Sequence, residues 1–202
     1  MLSESVCLLV VMMVCSPDVA WGYDLFCSPK LWEGHTWTLH ITHADQAPQV
    51  RETTARVSVD VIGQRYATQE TGHNNGQPFS VFYLYYYAAN TLYKVEDGRC
   101  ETFSPLHGNL TQKCVEMPDS HASEYLKEYM GGYNSGVWAN GVRGKKDGVG
   151  YFYSVAPEGS MPLMEETQGE VNKVPAYTLT NYYNITLGIT DPAVFTPPQG
   201  CI

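Results

Sequence analysis

Val81-Phe82-Tyr83-Leu84-Tyr85-Tyr86-Tyr87 is apolar or aromatic at every position. Successive side chains of a strand point to opposite faces, so both faces of this one need cover. A second sheet, a partner subunit or a ligand would supply it. The run predicts a strand over Phe79 to Tyr87.

Outward from it the chain alternates in the same period. Trp37-Thr38-Leu39-His40-Ile41 alternates apolar and polar. Arg56 to Val61 places Val57, Val59 and Val61 on one face. Gly63-Gln64 turns the chain into Arg65-Tyr66-Ala67-Thr68, and Thr71 to Gly76 is a turn cluster. Thr91 to Glu96 reads as a short strand ended by the turn signal Asp97-Gly98. Residues 104–120 read as a long excursion. Asp119-Ser120 then predicts one helix over His121 to Met130, with Ala122, Tyr125, Leu126 and Tyr129 near helical spacing, ended by Gly131-Gly132. Strands resume at Ser135–Val142, Gly150–Val155 and Ala176–Leu187, before the proline-stiffened Pro192 to Pro198. The pattern predicts a mostly β protein, antiparallel, built as two packed sheets or a half-open barrel with one short helix.

The first residues read as an address. Val6 to Cys15 is apolar but far short of the about 20 residues a membrane span needs. A small-x-small site follows at Ala20-Trp21-Gly22, which predicts a secretory signal peptide over 1–22, cleaved after Gly22 or after Ala20. Residues 23–202 then form the domain, with no transmembrane anchor and a secreted, extracellular location. Cleavage removes Glu4 and Asp18, so the net charge of -9 becomes -9 + 2 = -7. That sign argues against nucleic acid as a partner, because such binding rests on Lys and Arg neutralising phosphates. It permits a cation such as calcium.

Cys27, Cys100, Cys114 and Cys201 remain, an even set that in an oxidising compartment predicts two disulfides with three possible connectivities. None has the C-x-x-C spacing of a zinc ribbon. The sequons Asn109-Leu110-Thr111 and Asn184-Ile185-Thr186 predict N-glycosylation at the surface. No nucleophile elbow, P-loop or H-E-x-x-H is present, and no catalytic residue is assigned. His40 and His43 read as polar residues flanking a strand. Glu165-Glu166 and Asp147-Gly148 form no EF-hand loop, so no metal ligand is named. The expected role is binding rather than catalysis, with no required cofactor.

The tail Leu187-Gly188-Ile189-Thr190-Asp191-Pro192-Ala193-Val194-Phe195-Thr196-Pro197-Pro198-Gln199-Gly200-Cys201 closely resembles the ending of ependymin-related proteins. Cys27-Ser28-Pro29 with Trp32-Glu33-Gly34, Val59-Asp60 through Gln64-Arg65, Tyr83-Leu84-Tyr85 through Tyr93 and Cys100, Met117-Pro118, and Gly131-Gly132 before Trp138 fall in the same order. The resemblance covers roughly residues 27–201. It implies two curved antiparallel sheets enclosing a hydrophobic pocket, similar to bacterial lipoprotein carriers. It also implies calcium binding, extracellular matrix components as partners, homodimers, and a hydrophobic small molecule or lipid as ligand. The pocket residues expected on that basis are Trp37, Leu39, Val59, Val61, Phe82, Leu84, Tyr86 and Trp138. The family pairing of second and last cysteines implies Cys100–Cys201, which leaves Cys27 for Cys114. The chain departs from the family in having Met161 where a cysteine usually precedes Pro162. The alternative reading is a matrix or cell-adhesion protein that acts through a calcium-bound, glycosylated surface without a lipid ligand.

Overall fold

The computed structural model describes residues 26–44, 47–115, 123–130, 136–146, 148–157, 161–171 and 173–201. The expected signal peptide lies outside them, as do the first residues of the expected helix. The strands are β1 (Phe26–Cys27), β2 (Leu31–Ala44), β3 (Ala47–Asp60), β4 (Arg65–Asn74), β5 (Gln77–Tyr86), β6 (Thr91–Glu96) and β7 (Arg99–Phe103). Then follow β8 (Cys114–Val115), β9 (Ser123–Met130), β10 (Val137–Lys146), β11 (Val149–Val155), β12 (Pro162–Val171) and β13 (Val174–Leu187).

Strands β2 to β7 form one antiparallel meander and β9 to β13 another. The last strand of the second pairs with the first strand of the other, Thr180 opposite Thr38 and Leu179 opposite Leu39. The result is one eleven-stranded sheet in the order β7-β6-β5-β4-β3-β2-β13-β12-β11-β10-β9, with β1 and β8 as a separate pair. In place of the two expected sheets there is one large antiparallel sheet, made of two meanders joined along β2 and β13. Short turns set the registers. Asn75-Gly76 and Asp97-Gly98 both have positive φ at both positions, the backbone that matches the twist of a two-residue hairpin. Asn75 Oδ1 also accepts from the Val50 N–H at 2.8 Å, which ties the β4–β5 turn to β3. Gly72 lets β4 approach β3 closely: a Cβ there would stand 1.9 Å from the Glu52 carbonyl oxygen.

The helix expected over His121–Met130 is corrected. Ser123–Met130 is a strand, paired along its length with β10 from Met130 opposite Val137 to Ser123 opposite Gly144. An isolated helix of about 10 residues is marginal in water, whereas a ladder satisfies the same backbone groups at once. No α-helix occurs among the described residues; single 3-10 turns form at Tyr87–Ala89 and Pro192–Phe195. No described helix is long and apolar enough to cross a membrane.

Two apolar clusters lie on opposite faces of the β2–β5 region. Trp32, Ala55, Val57 and Val59 form one, with Val61, Tyr66, Leu110, Tyr182 and Ile185 packed against it. Ala67, Leu84 and Phe195 form the other, with Phe82, Tyr86, Tyr93, Ile189 and Val194 around them. The C-terminal tail supplies the cover for this second face. Asp191 Oδ1 accepts from the Ala193 N–H at 2.9 Å, starts the Pro192–Phe195 turn, and so aims Phe195 at Leu84. The Arg65 guanidinium lies 4.5 Å from the Phe195 ring centre and is itself paired with Asp60. Burial alone would push the Asp60 carboxyl up; the Arg65 hydrogen bonds and the Gly63 N–H outweigh it and hold the group below its ordinary value.

Disulfides tie down both ends. Cys27 pairs with Cys114, and Cys100 with Cys201 at a Cα–Cα distance of 5.3 Å. This is the connectivity that the family resemblance implies once Cys27 is left for Cys114. Asn109 and Asn184 are both exposed.

Candidate functional site: a trough on one sheet face

A trough of about 570 Å³ crosses strands β13, β2, β3, β4 and β5; a larger concavity, of about 710 Å³, lies at the Val149, Gly169 and Pro175 end of β11–β13. The lining of the trough comes from alternate residues of adjacent strands, which is what one face of a sheet presents. Strand β2 gives Trp32, Thr36, Thr38 and His40, and β3 gives Arg51, Thr53, Ala55 and Val57. Strand β4 gives Tyr66, Thr68 and Glu70; β5 gives Tyr83 and Tyr85; β13 gives Thr178, Thr180 and Tyr182.

The registers order these residues in rows. At one end Trp32, Val59, Tyr66 and Tyr85 lie abreast. At the other, Thr178, His40 and Arg51 do. The end rows are eight residues apart on β2, about 26 Å at roughly 3.3 Å per residue. The first end is aromatic and buried. Trp32 meets Tyr182 edge to face with ring centres 6.3 Å apart, and Tyr66 lies 5.5 Å from Tyr85. Burial pushes the Tyr85 hydroxyl up to about 12, and it pushes Tyr66 and Tyr182 further up. These phenols stay neutral at physiological pH.

Hydroxyl groups fill the middle. Thr38 and Thr180 share a hydrogen bond at 3.1 Å, and His40 Nδ1 and Thr178 Oγ1 share one at 2.8 Å. The far end carries charge. Arg51 Nη2 donates to Glu70 Oε2 at 2.9 Å, its Nε reaches Thr53 Oγ1 at 3.4 Å, and its guanidinium lies 4.3 Å from the Phe79 ring centre. Burial pushes the Glu70 carboxyl up, against the pull of Arg51. Beside the trough, Tyr182 donates to Glu165 at 3.1 Å, and Glu165 pairs with Lys113.

None of the eight residues expected to line a pocket is among those lining this trough. Val59 and Val61 belong to the cluster that continues the aromatic end, packed with its Trp32, Val57 and Tyr66. Phe82, Leu84 and Tyr86 face the other way, into the cluster under Phe195. Trp37 and Leu39 also lie on that second face, Trp37 donating to Glu52 at 2.8 Å. Trp138 is 62% exposed and rests its ring against Tyr129. For Trp37, Leu39, Phe82, Leu84 and Tyr86 the reason is parity. In the two-sided strand, the more apolar side, Phe82 and Leu84, is closed by the protein's own tail. The amphipathic side, Tyr83 and Tyr85, stays open. Threonines at 36, 38, 178 and 180 were the missed signal: they are the polar half of an alternation whose apolar half looked more informative. His40, read as a surface flank, is part of the lining.

Among the described residues no group of three or more His, Cys, Asp or Glu stands together to hold a metal ion. The fold and the trough define an antiparallel β-sheet protein with a ligand-sized concavity on one face. Comparison with known protein families finds no match, and neither does comparison with curated proteins. Among solved structures the chain is similar to a putative outer membrane lipoprotein-sorting protein domain from Vibrio parahaemolyticus. The identity is 9%, covering 80% of this chain and 88% of that one, with a TM-score of 0.34.

Proposed function

We propose that this protein binds one small amphipathic molecule in the trough and carries or presents it outside the cell. The observation that carries the reading is the trough itself. A concavity of about 570 Å³ falls within the roughly 300–1,000 Å³ of small-molecule sites, and it combines an aromatic floor with a few placed polar groups. The lining sets hydroxyl groups over an aromatic floor, with His40 Nδ1 and Thr178 Oγ1 bonded at 2.8 Å, and binding is the function advanced.

The finer reading is a secreted, N-glycosylated relative of ependymin-related proteins. It is supported by the C-terminal tail, the two exposed sequons and the Cys100–Cys201 pair. Calcium binding, matrix association and pairing of two copies rest on that resemblance, and no calcium ligand is assigned.

The test is to secrete the protein from a eukaryotic host, purify it without detergent, extract it with organic solvent and weigh the extract. A stoichiometric amphiphile is expected. Thr38→Trp, which places an indole in the middle row, should abolish its recovery while leaving the circular dichroism of the sheet unchanged. An empty extract, followed by no uptake of a fluorescent monoacylglycerol, would overturn the carrier reading and leave the matrix-adhesion reading in its place.

A further inference from the structure

We propose that the trough selects an uncharged amphiphile, one with hydroxyl or carbonyl groups on a hydrocarbon chain, and rejects ionised fatty acids through the Arg51–Glu70 pair. This rests on the ligand-binding reading above and specifies its ligand. Among the described residues only one fixed cation lines the trough, Arg51, and only one carboxylate, Glu70; they are bonded to each other at 2.9 Å. Arg51 is further held by Thr53 and by the face of Phe79. The next cation along, Lys113, is spent on Glu165.

A carboxylate head that reaches Arg51 therefore arrives beside Glu70, whose side chain is only 21% exposed. Like charges in a partly desolvated site repel, and neither is well screened by water. An ammonium head meets the mirror-image problem at Arg51. A neutral head meets neither. It finds instead threonine hydroxyls at 36, 38, 53 and 180; Thr38 and Thr180 bond each other and Thr53 accepts from Arg51, and a hydroxyl's one donor and two acceptor positions leave each of them capacity for a ligand. The row order matches such a molecule: chain against Trp32 and Tyr66, polar groups among the threonines.

The experiment titrates the delipidated full-length protein with monooleoylglycerol and with oleate at pH 8, below their aggregation thresholds, following tryptophan fluorescence. The two share one acyl chain and differ in charge. Wild type should bind the monoacylglycerol at least about tenfold more tightly. Glu70→Gln should raise oleate affinity at least about tenfold and so erase the preference for the monoacylglycerol, because Arg51 is then unmatched. Arg51→Gln should do the reverse, leaving oleate weak and admitting oleylamine. Oleate binding to wild type as tightly as monooleoylglycerol would overturn the proposal while sparing the carrier function. So would Glu70→Gln and Arg51→Gln proteins, folded by circular dichroism, that show unchanged selectivity. Binding of neither lipid by wild type would overturn both readings.

Discussion

Truncating Phe195 to alanine tests whether the C-terminal tail is a structural cover for the sheet. The ring is 3% exposed and sits on Ala67 and Leu84, which are 1% and 0% exposed. Removing a buried Phe side chain costs about 3–5 kcal/mol, part of it for the cavity left behind. The Arg65 guanidinium 4.5 Å from the ring centre adds about 0.5–1 kcal/mol for a partly exposed cation over an aromatic face. The Cys100–Cys201 bridge holds the tail nearby in the variant, so the loss reports packing and not detachment. We expect a loss of about 4 kcal/mol in urea unfolding followed by tryptophan fluorescence. With a slope of about 2–3 kcal/mol per molar urea, the midpoint should fall by about 1.5–2 M. Phe103→Ala, at a ring that is 47% exposed, should cost less than about 1 kcal/mol and serves as the control. Ligand uptake should survive in Phe195→Ala, because the trough lies on the opposite face. A loss under about 1 kcal/mol would refute the argument that the tail closes the Phe82–Leu84 side.

The remaining predictions concern pH and the disulfides. Burial raises the Tyr85 hydroxyl to about 12 in the folded protein, above its ordinary 10.0. The unfolded chain therefore releases this proton first, and stability should fall as pH rises from about 10 toward 12. Tyr85→Phe should remove part of that slope in chemical denaturation series. Tyrosinate absorbance appearing with ordinary phenol behaviour for all tyrosines of the folded protein would contradict it. Replacing Cys100 and Cys201 together with serine opens a link across 101 positions. A loop of that length is worth about 4–5 kcal/mol of unfolded-chain entropy, so at a slope of about 2–3 kcal/mol per molar the urea midpoint should drop by about 1.3–2.5 M. Retention of wild-type stability would show that the bridge constrains nothing.

Much of the sheet was legible because its strands alternate. Thr91–Glu96 was read to the residue, and Val57 and Val59 do share a buried cluster with Val61 beside it. Strand β12 was missed because Pro162-Leu163-Met164-Glu165-Glu166-Thr167-Gln168-Gly169 has little β propensity; pairing on both sides, with β11 and β13, makes it a strand. The strand over Ser123–Met130 was read as helix because a few apolar residues fall near helical spacing, and only its partner β10 decides against it. The candidate site was less legible than the fold. A strand apolar on both sides identifies neither the side the protein fills itself nor the side it leaves open, and the covering group, Phe195, lies more than a hundred positions away. The threonine and tyrosine floor then followed from registers that no single segment contains.

The seam between β2 and β13 has a consequence for how the protein is made. Thr38 and Thr180 bond across 142 positions, so the β13-facing edge of β2 has no partner until almost the whole chain is synthesised. At roughly 5–20 residues per second that is a wait of about 7–28 s. An unpaired edge with Trp37, Leu39 and Ile41 along it is a template for pairing with other chains. During synthesis this growing edge is where a chaperone would have to stand, and slowing elongation between the two meanders should increase aggregation of the nascent protein more than slowing it after residue 187.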